Sequence, residues 1–548
     1  MYLDCSQLSD TSFAADVCIV GGGIAGIVIG LELRRRGLSV CILEGGGRRS
    51  SHRSQILYQG KSEDGRYDLA ATRTRFLGGS SNCWGGWTRP FSPLDFMRRP
   101  WLSELDWPIG PETIAPYLAE ACVYLQVAEP ESDEAIRDRM EAEYGPFVED
   151  LGDGRLQSIF FRMSPPTRFR RVYGDLLGED PRIRVLLNAT AVEILTSPDG
   201  ATARGVRARS ERGALTVQAR FVVLAAGGVE NPRLLLASRA ARPAGIGNAH
   251  DLVGRYFMDH PRVRAAHIRL RQPERLSKLY DFAHYKGGSL LLRRKATGAA
   301  LVLSEAEQER AGLLQSYTGL SARHAGVGLS TTQDAVELAK ALVGRIHERV
   351  DRGRLMRTLR TSPSVGMSLI YRVIGLQSAH GPFELETVLE PWPDRENRVV
   401  LTDEPDRFGV PKVHVRWRRS DIERRTHRRA VEVIQEVLTQ RGDGEVVVED
   451  AAWEDSWDHR VMTTWHHMGT TRMASTPRQG VVDTDCRVFG MPNLYVAGSS
   501  VFPTGGGSPP TLMIVALALR LATHIGAQSL AGTGPDLRQA EEAAPAAL

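Results

Sequence analysis

The alternation of apolar and polar positions is most regular near the start of the chain. An apolar run of strand length, Asp16–Val20, leads into a glycine-rich turn, Gly21–Gly26. The turn opens a segment, Ile27–Arg36, with the periodicity of a helix. A second apolar run, Leu38–Leu43, follows and ends at Glu44. This order predicts a β-α-β unit whose helix begins at a glycine turn.

The glycines of this turn have the spacing of a dinucleotide-binding fingerprint. Gly21 permits the tight turn, Gly23 lets backbone N–H groups approach a pyrophosphate, and Gly26 lets the helix pack closely on the strand. The helix N-terminus favours the negative charge of the phosphates. Glu44 lies 18 residues after Gly26, near the position of a ribose-binding acid. An ordinary glycine turn would leave Glu44 unexplained, so the sequence predicts a bound dinucleotide without a 2′-phosphate.

The succession of strand, glycines and helix occurs twice more. Phe221–Leu224 leads through Gly227 and Gly228 into a helical segment. Asn493–Ala497 leads through the turn that begins at Gly498 into an apolar helix. Other regular segments predict strands at Ile183–Leu187, Ala191–Leu195, Glu384–Leu389, Arg398–Leu401 and Val413–Trp417, and helices at Ile114–Leu125 and after the capping box Ser420–Glu423.

Composition narrows the class of protein. A chain of 548 residues, 42% of them hydrophobic, is long enough for two or more domains or one large discontinuous one. The net charge of +4 gives no electrostatic reason to expect nucleic acid. Six cysteines without a CxxC pair argue against a zinc site and a disulfide scaffold, so no metal is expected. No signal peptide and no apolar run of membrane-spanning length is recognised, so we expect a cytoplasmic protein without a membrane span.

Two further stretches concentrate chemistry. Phe76–Pro90 holds four glycines, two serines and two tryptophans, a composition that favours close approach to a flat or anionic ligand over an ordinary surface loop. Trp465–Met473 brings two histidines next to a glycine. A neutral imidazole suits a base near pH 7.

With these motifs in view, the sequence resembles the glucose–methanol–choline (GMC) family of FAD-dependent oxidoreductases. The resemblance rests on the segments Gly21–Glu44, Gly78–Trp84, Phe221–Ser238, Asn397–Leu401 and His466–Ile525. It implies an α/β fold: a Rossmann-like FAD-binding domain of the glutathione-reductase-like type, with an inserted substrate-binding domain built on an antiparallel sheet with helices. We expect the FAD-binding domain at residues 1–91, 183–262 and 476–528, the substrate-binding domain at 92–182 and 263–475, and a disordered tail at 529–548.

The resemblance also implies site residues. The first histidine of the H-x-x-G-T pattern, His466, would take the hydroxyl proton of an alcohol as hydride moves to flavin N5. His467 would be a neighbour of the site or a structural residue, and Ser508 a substitute partner for the base. The implied FAD-binding residues are Gly21, Gly23, Gly26, Glu44, Gly79, Ser80, Asn82, Cys83, Trp84, Val192, Gly498, Ser499, Pro510 and Thr511.

The chain departs from the family pattern at two positions. The family usually has a second His or Asn just before the last helix, where this chain has Pro509. Proline offers no side-chain hydrogen bond, so Ser508, His467 or another side chain takes that role, or His466 acts alone. Some members attach FAD to a histidine in the glycine loop. Cys83 stands there instead, and we expect non-covalent FAD, with a cysteinyl link as the alternative.

The family oxidises alcohols, sugars and sterols. Residues 449–458 combine five carboxylates with two tryptophans, and from these Trp453, Asp455 and Trp457 are predicted to bind a sugar, glycoside or amino sugar. An acidic surface loop with packed tryptophans would have the same composition. The motifs are also compatible with a non-sugar alcohol as substrate and with a non-catalytic FAD-fold protein, whereas an enzyme using NAD(P)H would need a second fingerprint. The motifs are compatible with oxygen or with another molecule as the electron acceptor.

Overall fold

The structure is a computed structural model that describes residues 1–8, 11–63, 67–102, 107–129, 131–145, 147, 154–271, 280, 297–322, 383–448, 457 and 461–532. Within these residues the strands form three sheets, two of them with eight strands.

The first sheet carries the predicted β-α-β unit. Its order is Tyr2–Asp4, Ile183–Leu187, Val40–Glu44, Thr11–Val20, Ala214–Leu224, Ala203–Arg209 and Thr190–Thr196, and Leu494–Val496 also pairs with Ala214–Leu224. The pairs among the first five strands and the pair with Leu494–Val496 are parallel, and the other two pairs are antiparallel. In parallel strands the carboxyl ends share one edge, so the turns at Gly21, Gly227 and Gly498 all leave the sheet at that edge.

The second sheet is antiparallel throughout. Its order is Gly444–Val448, Pro261–Leu270, Phe383–Leu389, Ser316–Ala322, Thr297–Leu303, Leu156–Met163 and Trp87–Thr88, and Val461–Thr463 also pairs with Pro261–Leu270. The helix Asp421–Arg441 covers one face with an apolar stripe that includes Val433, Ile434 and Val437. Its N-terminus is the predicted capping box, with Ser420 and Glu423 bonded reciprocally.

A third sheet of three strands and the remaining helices complete the described residues. Arg398–Pro405 pairs with Pro411–Arg416, which pairs with Lys61–Ser62. The α-helices are Ile24–Arg35, His52–Gln55, Pro93–Phe96, Pro111–Leu125, Asp133–Tyr144, Phe169–Glu179, Gly227–Ala237, Glu305–Ala311, Asp421–Arg441 and Thr511–Leu530. The 3₁₀ turns are Cys5–Gln7, Ile56–Tyr58, Gly79–Asn82 and Ser499–Val501.

The C-terminal helix is the most apolar element. By length and composition Thr511–Leu530 could cross a membrane, and it alone passes that test among the described residues. In the structure 61% of its most apolar window is buried, against Ile24–Arg35 and Pro111–Leu125. Packing inside the protein therefore accounts for its composition.

The α/β fold with a second, antiparallel sheet is confirmed. The domain boundaries stay a prediction; Trp87–Thr88, which lies within the predicted first domain, joins the second sheet. The strand predicted at Asp16–Val20 is longer than predicted and begins at Thr11. Of the predicted tail, residues 529–532 are described and end the last helix, whereas the remainder lies outside the described residues.

Candidate active site

The first glycine turn leaves an open space at the N-terminus of its helix. A Cβ added at Gly23 would meet no atom of the described residues within 4 Å. At Gly26 a Cβ would lie 2.0 Å from the carbonyl oxygen of Gly21, so only glycine fits there. Gly21 itself has φ of +107°. Gly26 therefore packs closely on the turn, and the space at Gly23 leaves room for an anionic group, a role that stays a prediction.

Glu44 ends the neighbouring strand beside this cradle. Its carboxylate accepts hydrogen bonds from the backbone N–H of Gly22 (3.0 Å) and of Gly46 (2.7 Å). Burial raises the pKa of Glu44, and the charge of Arg75 counteracts part of that effect. Because a carboxylate offers about four acceptor positions, two remain for the hydroxyls of a ribose.

The glycine loop Gly78–Trp84 lies against the first turn. The N–H of Gly78 donates to the carbonyl of Gly22 at 2.7 Å, and a Cβ at Gly79 would come within 3.0 Å of the Cα of Gly23. Asn82 donates both amide hydrogens within the loop, to the carbonyls of Leu77 and Gly79. The loop is thus a rigid wall of the cradle.

The other predicted loop residues have different surroundings. Ser80 is exposed, and its carbonyl accepts from the N–H groups of Cys83 and Trp84. The Trp84 indole N–H donates to the carbonyl of Thr167 at 2.9 Å, which ties the loop to the residues just before the helix Phe169–Glu179. Cys83 is half-buried, whereas the five other cysteines are buried. Val192 is the extra residue of a bulge between Ala191 and Glu193, outside the regular strand pairing.

Asn231 joins the second and third glycine turns. Its side-chain oxygen accepts from the N–H of Ala226, and its amide donates to the carbonyl of Ala497 (3.2 Å) and to Ser500 Oγ (3.0 Å). A Cβ added at Gly227 or at Gly498 would meet no described residue within 4 Å. Three open glycine positions therefore face outward from one edge of the first sheet.

The histidine segment lies on these turns. The carbonyl of His467 accepts from Ser499 Oγ at 2.7 Å, and a Cβ at Gly228 would lie 2.5 Å from the same oxygen. The N–H of Gly469 donates to the carbonyl of Ser499, and Thr470 Oγ1 donates to the carbonyl of Gly228 at 2.6 Å. His466 is thereby held at the edge where the open glycines lie.

Asp259 fixes the backbone that carries His466. Its carboxylate accepts from the N–H of His466 (2.8 Å) and of Trp465 (3.2 Å), from Thr464 Oγ1 (2.8 Å) and from the hydroxyl of Tyr67 (2.7 Å). Burial raises the pKa of Asp259, and these donors oppose the rise. Trp465 has φ of +66°, a left-handed conformation that is rare for a bulky residue. The four hydrogen bonds to the Asp259 carboxylate hold this strained backbone next to His466.

His466 forms a pair with a second histidine. Within the described part of the chain its ring makes one hydrogen bond, between its Nδ1 and Nδ1 of His260 (3.1 Å), and its Nε2 makes none. The two rings are nearly perpendicular, and His260 is also bonded through Nε2 to the carbonyl oxygen of Gly506 at 2.9 Å. Removal from solvent lowers the pKa of His466 well below its usual value, with smaller contributions from His260, His467 and Arg262. His466 is therefore neutral at pH 7.

His467 points away from its neighbour. Its ring packs against Tyr67 and Phe257, with ring centroids 5.6 and 5.8 Å away. Burial lowers the pKa of His467 to about 3. These contacts favour the structural role over a place beside the base.

The segment before the last helix contains the remaining predicted residues. Ser508 is buried, and no hydrogen bond within the described ranges joins it to His466. Pro510 is the residue before the first helical position, Thr511, so both lie at the N-terminus of the C-terminal helix.

The predicted substrate residues are only partly covered. Trp453 and Asp455 lie outside the described residues. Trp457 is 7% exposed and packs among Val263, Leu389 and the ring of His427, so it does not offer an open face to a sugar. This burial agrees, for Trp457, with the alternative of a packed tryptophan.

Sequence reasoning missed Asp259, His260 and Tyr67. Asp259 and His260 stand as adjacent titratable residues directly before the strand Pro261–Leu270, outside the motifs on which the sequence predictions rest. Their partners are about 200 residues away in the chain, so spacing alone gives no signal. Among the described residues no cluster that could hold a metal ion is found.

Protein-family models and solved structures match this chain. The family model described as "GMC oxidoreductase" matches residues 393–518, and the one described as "FAD dependent oxidoreductase" matches residues 16–245. Among solved structures, formate oxidase superposes with a TM-score of 0.57 at 19% identity, covering 95% of this chain and 100% of that one, which supports the fold.

Several curated proteins are similar along most of their length. The fructose dehydrogenase large subunit of Gluconobacter japonicus is 24% identical over 94% of this chain and 99% of its own. The 2-methyl-1,2-propanediol dehydrogenase of Mycolicibacterium austroafricanum is 25% identical, over 93% and 95%. The 6‴-hydroxyparomomycin C oxidase of Streptomyces lividus is 25% identical, over 94% and 93%.

Fold, glycine turns and family matches point to one cofactor and one class of enzyme. The three open glycines, Glu44 and the loop Gly78–Trp84 form a cradle suited to a dinucleotide, and the matched families bind FAD. The chain contains a GMC oxidoreductase C-terminal domain and an FAD-dependent oxidoreductase domain, and it is an FAD-dependent enzyme that acts on alcohols or sugars.

Proposed function

We propose that this enzyme oxidises a hydroxyl group of a sugar, glycoside or amino sugar to a carbonyl, with His466 as the base. The observation that carries the proposal is the neutral His466 ring at the glycine edge, held through Nδ1 and with Nε2 unbonded to any described residue. A base in this state accepts a proton near pH 7 without first losing one.

The residues present fit FAD. The space at Gly23 would receive the pyrophosphate at the helix N-terminus, and Glu44 the ribose hydroxyls. The bulged backbone at Val192 and the turn at Gly498 and Ser499 would complete the contact. When bound, FAD supplies the acceptor for the hydride of the alcohol carbon.

The chain's own residues then do three things. Asp259 fixes the backbone of Trp465 and His466, so that the imidazole has one position. The Nε2 of His466 would take the hydroxyl proton as the C=O bond forms, and the bound cofactor would supply the acceptor for the hydride released from the alcohol carbon. The N-terminus of the helix Thr511–Leu530 adds a partial positive charge near the glycine edge.

The substrate class is supported by the named activities of similar chains. The fructose dehydrogenase subunit and the hydroxyparomomycin oxidase are named for a sugar and an aminoglycoside. The propanediol dehydrogenase is named for a small diol, which keeps a non-sugar alcohol as the second candidate. The burial of Trp457 argues against a role for this side chain in sugar binding, so the substrate class does not rest on it.

An anaerobic substrate panel tests the proposal. Purified enzyme is mixed with amino sugars, neutral sugars, 1,2-diols and aliphatic alcohols, and bleaching of the flavin absorbance is followed. We expect the fastest bleaching with a sugar or amino sugar, and a rate reduced by about 10²–10⁴ in His466→Ala, the usual contribution of a general base. Preference for a diol or aliphatic alcohol would reject the substrate class. An undiminished rate in His466→Ala would reject the assigned base.

A further inference from the structure

The protonation of His466 follows from the partners of His260. A carbonyl oxygen only accepts, so the contact between His260 Nε2 and the carbonyl of Gly506, at 2.9 Å, requires a hydrogen on Nε2. His260 is 1% exposed, and burial lowers its pKa to about 4, so its ring is neutral at pH 7. A neutral imidazole carries one hydrogen, and Nδ1 of His260 is therefore a bare acceptor.

The hydrogen between the two rings then belongs to His466. The two Nδ1 atoms are 3.1 Å apart, and since His260 can only accept there, Nδ1 of His466 donates. His466 is itself neutral, so its Nε2 has a free lone pair. The chain of bonds from Gly506 through His260 selects the tautomer that a base requires.

The acceptor at the start of this chain is held firmly. Gly506 has φ of +64°, and a Cβ there would lie 2.6 Å from Asp95 Oδ1. That same oxygen accepts from the N–H of Gly507 at 2.9 Å and from Gln315 Nε2 at 2.7 Å. The peptide that presents the Gly506 carbonyl is thus fixed by a buried carboxylate, and its acceptor cannot turn away without breaking these bonds.

We propose that His260 is a positioning residue of this enzyme: it accepts the Nδ1 hydrogen of His466 and thereby keeps Nε2 of His466 unprotonated and directed to the substrate hydroxyl. This proposal rests on the proposed role of His466 as base. It also gives the base a partner in a chain whose position 509 is proline, although His260 acts on the base and not on the substrate.

Loss of His260 leaves the Nδ1 hydrogen of His466 without its acceptor. The ring then gains by moving that hydrogen to Nε2, where solvent or substrate can accept it, and Nε2 ceases to be a base. An asparagine at 260 places Oδ1 near the position of the lost Nδ1, so it retains the acceptor while it loses the bond to Gly506. The two replacements therefore separate the effect of a hydrogen-bond acceptor at position 260 from the effect of the imidazole ring itself.

The test compares His260→Leu and His260→Asn with wild type, and uses His427→Leu as the control for removing a buried imidazole elsewhere. Flavin content is measured first, and then the rate of anaerobic flavin reduction at saturating substrate. We expect the rate of flavin reduction in His260→Leu to be about 10²–10⁴-fold lower than in wild type, with little change in the Kd of the substrate. His260→Asn should recover most of the rate, and His427→Leu should keep it. A wild-type rate in His260→Leu, or no recovery in His260→Asn, overturns the proposal.

The tautomer itself has a readout that needs no turnover. Side-chain ¹⁵N spectra of histidine-labelled protein, with the His466 signals assigned by their loss in His466→Gln, should show a protonated Nδ1 and an unprotonated Nε2 in wild type. A hydrogen on Nε2 of His466 in wild type overturns the proposal even if His260→Leu fails to fold. If no alcohol reduces the flavin while the spectrum is as expected, the proposed function fails and the tautomer assignment stands.

Discussion

The two glycines at the start of the first helix should respond oppositely to alanine. Gly23 has φ of −85° and ψ of −167°, which alanine adopts without strain, and its Cβ would enter open space. The same change at Gly26 forces a Cβ to 2.0 Å from the carbonyl oxygen of Gly21. Gly23→Ala should therefore leave the apoprotein as stable as wild type or more stable by about 0.4–1 kcal/mol. Gly26→Ala should destabilise it by about 1–3 kcal/mol.

Flavin binding separates the two changes further. If the pyrophosphate occupies the space at Gly23, the new methyl group overpacks the cradle and costs about 1–3 kcal/mol of binding free energy, or about 5- to 150-fold in Kd. The assay is a fluorescence titration of apoprotein with FAD, together with thermal melts of the apoprotein. Gly174→Ala, in the helix Phe169–Glu179 and away from the glycine turns, is the control and should change neither Kd nor fold. Unweakened FAD binding by a stable Gly23→Ala protein would refute the placement of the phosphates.

Four further results are expected. Asp259→Asn should lower the free energy of unfolding by about 2 kcal/mol or more and slow flavin reduction, because one carboxylate oxygen that accepts two hydrogen bonds is lost. Equal stability of the variant and wild type in a urea titration would contradict the proposed role of Asp259 in fixing this backbone. Burial does most to lower the pKa of His466, and the charge of Arg262 lowers it further. Arg262→Met should therefore raise this pKa and move the acid limb of the kcat/KM profile to higher pH. An unmoved limb would count against an electrostatic effect of Arg262 on His466. Burial lowers the pKa of His260 to about 4 and that of His467 to about 3, below the usual 6.5. The unfolded chain therefore binds more protons than the folded one from about pH 3 to 6.5, and the free energy of unfolding should fall as the pH falls through that window. Urea melts at pH 7 and pH 5 that coincide would disprove this prediction. Acid denaturation should release all FAD into solution, and flavin that stays on the protein but is released from Cys83→Ser would show a cysteinyl link instead.

The cofactor half of the site was predictable because its chemistry is local. A strand, a turn with glycines at fixed offsets and a helix occupy 30 neighbouring residues or fewer, so Gly23, Gly26 and Glu44 could be proposed from spacing as cofactor-binding residues, and their contacts with FAD stay predictions. The structure adds reasons, such as the close approach of Gly26 to Gly21. The FAD cofactor and the family, which the resemblance to the GMC oxidoreductases implied, were correctly predicted.

The environment of the base was not predictable, because tertiary contacts make it. His260 meets His466 across 206 positions of sequence, and Asp259 meets Tyr67 across 192. Trp457 shows the opposite limitation: a tryptophan among carboxylates has the composition of a sugar site, but packing against apolar neighbours decides its exposure. The cytoplasmic location and the non-covalent state of FAD stay predictions.

A crystal structure of the FAD-bound enzyme is the most direct test of the central claim, that three glycine turns at one sheet edge hold a single flavin beside His466. We expect the pyrophosphate at Gly23 and the isoalloxazine next to the ring of His466, with Nε2 facing it across the space for a substrate hydroxyl. A dinucleotide bound away from Gly23, or an isoalloxazine remote from His466, would contradict the account.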